Sequence, residues 1–361
     1  MSPSTATSPC IAVSGCGSVT SMYHAPALVQ LEQSGLARVA ALFDPDDEAV
    51  ELMRRQFPSA RRMADSRDLA GVDLAIVASP PQHHASQAID ALQVGAAVLC
   101  EKPMALTLGE AEAIVGAAAE KGSLLAISLV RRFLPATETI RVMLANRVLG
   151  EIREIECFEG GPFRWPARTQ SFFDRAQGGV FLDVGPHMLD LLVWWLGMPQ
   201  VLEYEDDSMG GVDANCRFAL QYDSGTRVVG RLSRDWELPN RYYFDCTKGW
   251  ISWKPTEPGY VEVGFHNAPS TLVAELHNTS VSFKRPGAAT KGINFEQAFV
   301  AQITNVIEAL RGNASLIAPG TDGLMSQRLI DECLRVRKLM KSPWFAELEQ
   351  NRACREAGGG G

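Results

Sequence analysis

The sequence has no C-x-x-C pair and no histidine at zinc-finger spacing from a cysteine; its eight cysteines, at 10, 16, 100, 157, 216, 246, 333 and 354, are scattered. This argues against a disulfide framework and predicts reduced thiols in the cytoplasm. No uninterrupted apolar run reaches the ~18 residues of a membrane span, and Met1 to Cys10 carries neither the basic nor the apolar region of an export signal. Neither anchoring nor export is expected. Positive charge is also scarce: 34 Lys and Arg stand against 42 Asp and Glu, a formal charge of −8. The overall cationic field that draws nucleic acid or anionic membrane is therefore missing. What remains is a chain of 361 residues, 46% apolar and 21% charged. That is the composition of a folded protein, long enough for two domains.

From residue 11 to about 130, short apolar or β-branched runs alternate with amphipathic segments, the signature of β-α-β units around a parallel sheet. Strands are predicted at Ile11 to Ser14, Val39 to Phe43, Leu74 to Ala78, Ala97 to Cys100 and Leu124 to Ser128. Thr107 and Glu110 fit a capping box at a helix start. Past residue 150 the pattern changes. Cys216 to Tyr222 alternates in polarity, Asp223-Ser224-Gly225 makes a turn, and Arg227 to Leu232 follows as a second strand. With further runs at Tyr242 to Thr247, Trp250 to Trp253 and Val261 to Phe265, a mostly antiparallel sheet is expected. Helices are predicted from about Asn294 to Arg311 and Leu324 to Met340. The division expected is a flexible N-terminus (1–10), a dinucleotide-binding domain (11–130), a C-terminal substrate and oligomerisation domain (131–345) and a tail (346–361).

Gly15-Cys16-Gly17 follows the first strand and precedes a helix, where a dinucleotide site needs a tight turn and close backbone approach to pyrophosphate. Thr20 takes the third small position. Asp44, at the end of the second strand, suits the adenosine ribose hydroxyls and repels a 2′-phosphate, favouring NAD over NADP. Asp44 followed by Pro45 equally fits an N-cap with proline at N1. The segments 78–84 (ASPPQHH) and 101–103 (EKP) follow strands where ligands of parallel sheets collect, and Lys102 is expected to reach into that crevice.

Gly178 to Asp190 leads into Leu191 to Leu196, a helix apolar enough to be buried. Asp183 and His187 are costly there unless paired or employed. Four residues apart, they can converge, although Pro186 implies a kink or a later helix start. The competing assignment makes His187 a core histidine and Asp183 a helix cap. No third or fourth ligand at convincing spacing supports a metal. Trp165 and Arg168 are candidates for a polyol-lined wall.

Four blocks in order, GCGSVTSMYH (15–24), ASPPQHH (78–84), CEKP (100–103) and GGVFLDVGPHMLD (178–190), resemble the glucose-fructose oxidoreductase, inositol dehydrogenase and rhizopine-catabolism family (Gfo/Idh/MocA). The resemblance runs from about residue 11 to 340. It implies an α/β fold: an N-terminal Rossmann doubly wound parallel sheet plus a C-terminal α/β domain with an open, mostly antiparallel sheet. It also implies a homodimer or homotetramer packed through that second sheet. By motif position it puts Lys102 and His187 at the reacting carbinol with Asp183 beside them. The cofactor side is assigned to Gly15, Gly17, Ser18, Val19, Asp44, Ser79, Pro80, His84, Glu101 and Lys102. Two departures are Thr20 and Gln177, the latter at the first position of what is often a triple glycine.

The expected activity is hydride transfer between NAD, with NADP not excluded, and a secondary alcohol or ketone of a sugar, cyclitol or related polyol. No nucleic acid or membrane partner is expected. Two other classes stay open at this level: a redox-neutral enzyme that cleaves glycosides or epimerises with retained NAD, and a nucleotide-sensing regulator without catalysis.

Overall fold

The structure is a computed structural model that describes residues 8–167, 169–276 and 295–340. The first part is built as the alternation predicts: β1 (Cys10–Ser14), α1 (Ala25–Gln33), β2 (Arg38–Phe43), α2 (Asp47–Gln56), β3 (Arg61–Arg62), β4 (Leu74–Val77), α3 (His84–Gln93), β5 (Ala97–Cys100), α4 (Leu108–Lys121) and β6 (Leu125–Ile127). All six strands are parallel, in the order β3-β2-β1-β4-β5-β6. That is the doubly wound arrangement, in which the strand order reverses beside β1 and opens a crevice at the carboxyl ends. β4 and β5 are buried at every position, which is why they read as unbroken apolar runs. The Thr107–Glu110 capping box forms at the start of α4. β3 was not expected; two arginines carry no strand signal.

The first helix starts at Ser18 and widens into a π-turn over Thr20–His24 before α1. The helical run from 18 to 33 and the turn after it, with the π-turn adding about one residue, make up the 29-residue separation of Gly15 from Asp44. Asp46, not Asp44, caps α2, accepting the Glu48 N–H at 3.0 Å. The N-cap alternative for Asp44 is corrected accordingly.

The chain continues through α5 (Pro135–Ala145), β7 (Ile152–Gly160), α6 (Val180–Leu196), β8 (Gln200–Asp206), β9 (Asn215–Gln221), β10 (Arg227–Ser233), β11 (Arg241–Cys246), β12 (Gly249–Trp253), β13 (Tyr260–Phe265) and β14 (Thr271–Glu275). It then runs through α7 (Phe295–Leu310), α8 (Gly320–Arg335) and β15 (Lys338–Leu339). The second sheet has the order β14-β13-β12-β11-β7-β10-β9-β8-β15. It is antiparallel except for the β7–β10 and β8–β15 pairs. Its alternation buries Tyr242 and Phe244 on one face, where both pack edge-on against Trp195 of α6 at 6.0 and 5.4 Å.

α7 and α8 return to the first sheet: α7 packs on α1, while α8 packs on α4 and β6 as well as α6. The structured α8 starts four residues before the predicted Leu324, through two glycines. A Cβ at Gly320 would lie 2.3 Å from a Leu125 methyl, and one at Gly323 2.4 Å from Ile127 Cγ1. Those glycines let the helix press onto β6.

Between the sheets, Arg132 has no exposed side-chain surface and donates to both oxygens of Asp190, at 3.0 and 2.7 Å, and to Asp322 at 2.5 Å. This network fixes α6 to the loop before α5 and to α8. In such a place a guanidinium charge is tolerated because each of its nitrogens finds an anion or carbonyl.

Candidate active site

Gly15 takes φ +99° at the end of β1, and a Cβ there would sit 2.4 Å from the Ala78 carbonyl carbon. Only glycine fits this turn. At Gly17 a Cβ would meet nothing within 4 Å, so the backbone ahead of the helix N-terminus faces open space suited to pyrophosphate. Thr20, fully buried, donates to the Gly15 carbonyl at 2.6 Å and closes the turn. Asp44 accepts the Cys16 N–H at 2.7 Å and the Asp46 N–H at 2.9 Å. The carboxylate thus holds the glycine turn while still facing the cleft.

The two other strand-end loops are tied together by His84, whose ring nitrogens lie 2.8 Å from the Pro103 and Ser79 carbonyls. Burial lowers its pKa, leaving a neutral ring that donates to one carbonyl at a time. His84 lines the cleft but has both nitrogens occupied, so it positions Ser79 and the Lys102-Pro103 segment. Glu101 is buried and bonded to His24 at 2.8 Å. Burial works to raise its carboxyl, and His24, Ser128 and Lys102 overcome it, leaving the pKa below the usual range.

Across the cleft, α6 carries the other groups. Its N-terminus is capped by Asp213, which accepts the Phe181 N–H at 2.8 Å through its side chain and the Val180 N–H at 2.9 Å through its carbonyl. The helix runs through Pro186 without a later start. Pro186 offers no N–H to the Leu182 carbonyl. In the same turn the Asp183 carbonyl accepts Lys102 Nζ at 2.7 Å. Lys102 also donates to Asp183 Oδ1 at 3.2 Å, and Arg234, just after β10, donates to Oδ2 at 2.9 Å. Burial pushes the Asp183 carboxyl up; the two cations outweigh it and the pKa is lowered.

His187 lies one turn on from Asp183, half-buried at the wall of the cleft. Its Nδ1 is sheltered and has no hydrogen-bond partner. Burial first, then the charges of Lys102 and Arg131, hold its pKa well below 6.5, so the imidazole is neutral at neutral pH. The carboxylate of Asp183 serves Lys102 and Arg234. It is neither the cap of α6 nor, by any hydrogen bond, the partner of His187.

These groups line one cleft of about 1080 Å³. Gly15, Gly17, Ser18, Val19, Asp44, Ser79, Pro80, His84, Glu101 and Lys102 are all on its wall. So are Asp183, paired with Lys102, and His187, one turn on from Asp183. Trp165 lines it too, stacked on Tyr23, which stacks on Phe299. Arg168 lies outside the described residues. Sequence reasoning missed Arg234, Tyr23, Asp213 and the buried Glu159–Arg131–Tyr242 group, in which Arg131 pairs with Glu159 at 2.5 and 2.8 Å. Among the described residues, no three His, Cys, Asp or Glu side chains gather so as to hold a metal ion.

A profile described as the oxidoreductase family with NAD-binding Rossmann fold matches residues 10–129, and the GFO/IDH/MocA C-terminal domain matches residues 137–252. The chain belongs to the GFO/IDH/MocA oxidoreductase family. Within it, the chain is 28% identical over 232 residues to trans-1,2-dihydrobenzene-1,2-diol dehydrogenase of Mus musculus, covering 61% of this chain and 68% of that one. It is 26% identical over 198 residues to scyllo-inositol 2-dehydrogenase (NADP(+)) of Bacillus subtilis, covering 53% of each. The matches to these two relatives thus span about half to two thirds of their length. The fold is that of levoglucosan dehydrogenase in complex with NADH and levoglucosan: TM-score 0.80, 16% identity, 91% of this chain and 97% of that one. The family assignment makes the first sheet an NAD-binding Rossmann domain. The open backbone at Gly17 and the Asp44 carboxylate are a physical fit to that cofactor. Among the described residues no helix is long and apolar enough to cross a membrane.

Proposed function

We propose that this family member transfers a hydride between a nicotinamide cofactor and a secondary alcohol or ketone of a sugar, cyclitol or related polyol. The observation that carries the reading is the gathering of an ammonium (Lys102), a carboxylate (Asp183) and a neutral imidazole (His187) on the wall of the cleft that the glycine turn also lines. Nicotinamide bound in the cleft supplies the hydride acceptor or donor. His187, an uncharged imidazole lining the cleft, takes the hydroxyl proton during oxidation and returns it during reduction. Lys102 donates to the same oxygen and stabilises the charge that develops there, while Asp183 fixes the ammonium in place. The sugar, cyclitol and diol dehydrogenase names of the relatives support the substrate class. The Asp44 carboxylate supports NAD over NADP.

The domain division at about residue 130, with an N-terminal arm before 11 and a tail after 345, is kept as part of this proposal. So is a homodimer or homotetramer through the second sheet, with no nucleic acid or membrane partner. No disulfide joins the described cysteines, which supports a cytoplasmic location. The test is a screen of polyols and keto-sugars with NAD and NADP, read by absorbance of reduced cofactor. It is repeated with Lys102→Met and His187→Asn. Each substitution is expected to lower turnover by about 10²-fold or more while NADH affinity, read by fluorescence, stays near that of the parent. Undiminished turnover in both variants overturns the assignment.

A further inference from the structure

We propose that Arg234 is a positioning residue that links a strap lying over the cleft to the placement of Asp183. The strap lies between β7 and α6 and is described over 161–167 and 169–178. Three ties hold it to the nucleotide-binding side: Ser18 donates to the Pro166 carbonyl, Trp165 stacks on Tyr23, and Gln177 donates to Gln82. On the other side it meets the end of β10, where the Gly161 N–H donates to the Ser233 carbonyl at 3.3 Å and Arg234 makes several contacts. The Arg234 carbonyl accepts the Phe163 N–H at 2.8 Å, and Nη1 donates to the Phe172 carbonyl at 3.3 Å. The guanidinium carbon lies 4.6 Å from the Phe163 ring centre and 5.5 Å from that of Phe172. With its remaining terminal nitrogen the same guanidinium reaches Asp183.

One planar cation therefore touches the strap through two rings and a carbonyl, and the reaction end through a carboxylate. Its side chain is only 10% exposed, so it has little alternative contact with water. Movement of the strap withdraws the aromatic faces and frees Arg234 to shift. Asp183 then keeps Lys102 alone among the cations that face it. The charged groups around Asp183 are Lys102 from the loop after β5 and Arg234 from the turn after β10, and the titratable group on its own helix is the neutral His187. The Lys102 ammonium is aligned by Asp183, so strap position and reaction geometry become one equilibrium. This rests on the reading that Lys102, Asp183 and His187 form the reacting end.

The experiment compares the full chain with Arg234→Met and Arg234→Lys, saturated with NADH, by backbone hydrogen exchange. Turnover against pH is measured on whichever polyol the screen identifies. In Arg234→Met, amides of 163–178 are expected to exchange about three- to fivefold faster, the ratio that corresponds to loss of an ordinary cation–π contact. Exchange in β4 and β5 should be unchanged, which reports that the variant folds. Its acid limb of turnover, set by His187, should move up, because removing a cation from Asp183 leaves more negative charge one turn from the imidazole. Arg234→Lys keeps a charge and loses the planar fork. It should speed strap exchange while leaving the acid limb near the parent position, a split that a purely structural role does not produce. Unchanged strap exchange in both variants, or an acid limb that stays put in Arg234→Met, overturns the proposal. Inactivity on every polyol would instead overturn the functional reading, and the exchange comparison stands without turnover.

Discussion

Asp213 holds the N-terminus of the helix that carries Asp183 and His187, and it does so as a buried carboxyl whose pKa is raised from 3.8 to about 6. Burial is the main cause, with Asp206 adding to it and the Phe181 N–H opposing it. A carboxyl with a folded pKa above its unfolded value binds its proton more tightly in the native state. Its contribution to stability is therefore full below pH 3.8 and is lost as pH rises through 6. At 1.36 kcal/mol per unit the whole shift is on the order of 3 kcal/mol, of which about 2 kcal/mol falls between pH 4.5 and pH 8. Asp213→Asn keeps an oxygen to accept the Phe181 N–H and removes the titration. Urea unfolding of parent and variant at the two pH values should show the difference moving by about 2 kcal/mol in favour of Asn from pH 4.5 to pH 8. A difference that is the same at both values, or that moves toward Asp, refutes the reasoning. Either result would mean that water or a shift of the helix end relieves the carboxylate.

Three further outcomes are expected. Oxidation needs neutral His187, so its rate should be lost as pH falls through a value below 6.5; a limb at pH 7 or above in kcat/KM would assign the base elsewhere. Arg132→Met strands Asp190 in the interior and should cost about 3–5 kcal/mol of stability, read as a fall in urea midpoint; a loss under 1 kcal/mol would show that Asp190 takes up a proton without consequence. Asp44→Ala should weaken NADH binding about tenfold or more, since a charge-assisted hydrogen bond is lost, and narrow the preference over NADPH. An unchanged NADH to NADPH ratio in a fluorescence titration contradicts the ribose role.

Much of this site was legible because certain residues are physically out of place in sequence. A glycine pair after a buried strand, a lysine closing an apolar run, and two ionisable groups in a helix as apolar as 180–196 each require an explanation, and the fold brings all of them to one cleft. Arg234 gave no such signal. It sits in an ordinary charged turn, 51 positions from the carboxylate it binds, and only the register of β10 beside β7 makes it relevant. β7 itself was hidden by Glu159, a charge on the buried face whose partner Arg131 comes from 28 residues earlier. A polarity pattern cannot anticipate such pairing. The π-turn at Thr20–His24 was equally invisible locally, yet it is what sets Tyr23 between Phe299 and Trp165.

Among the described residues the backbone passes between the two sheets twice, from β6 toward β7 and from α8 to β15. At the first of these, Ile127 is also stitched to the Ala318 carbonyl ahead of α8. Lobes joined by one thread can turn about any axis through it, whereas lobes joined at two places, with a backbone hydrogen bond beside one of them, share only the axes that both crossings permit.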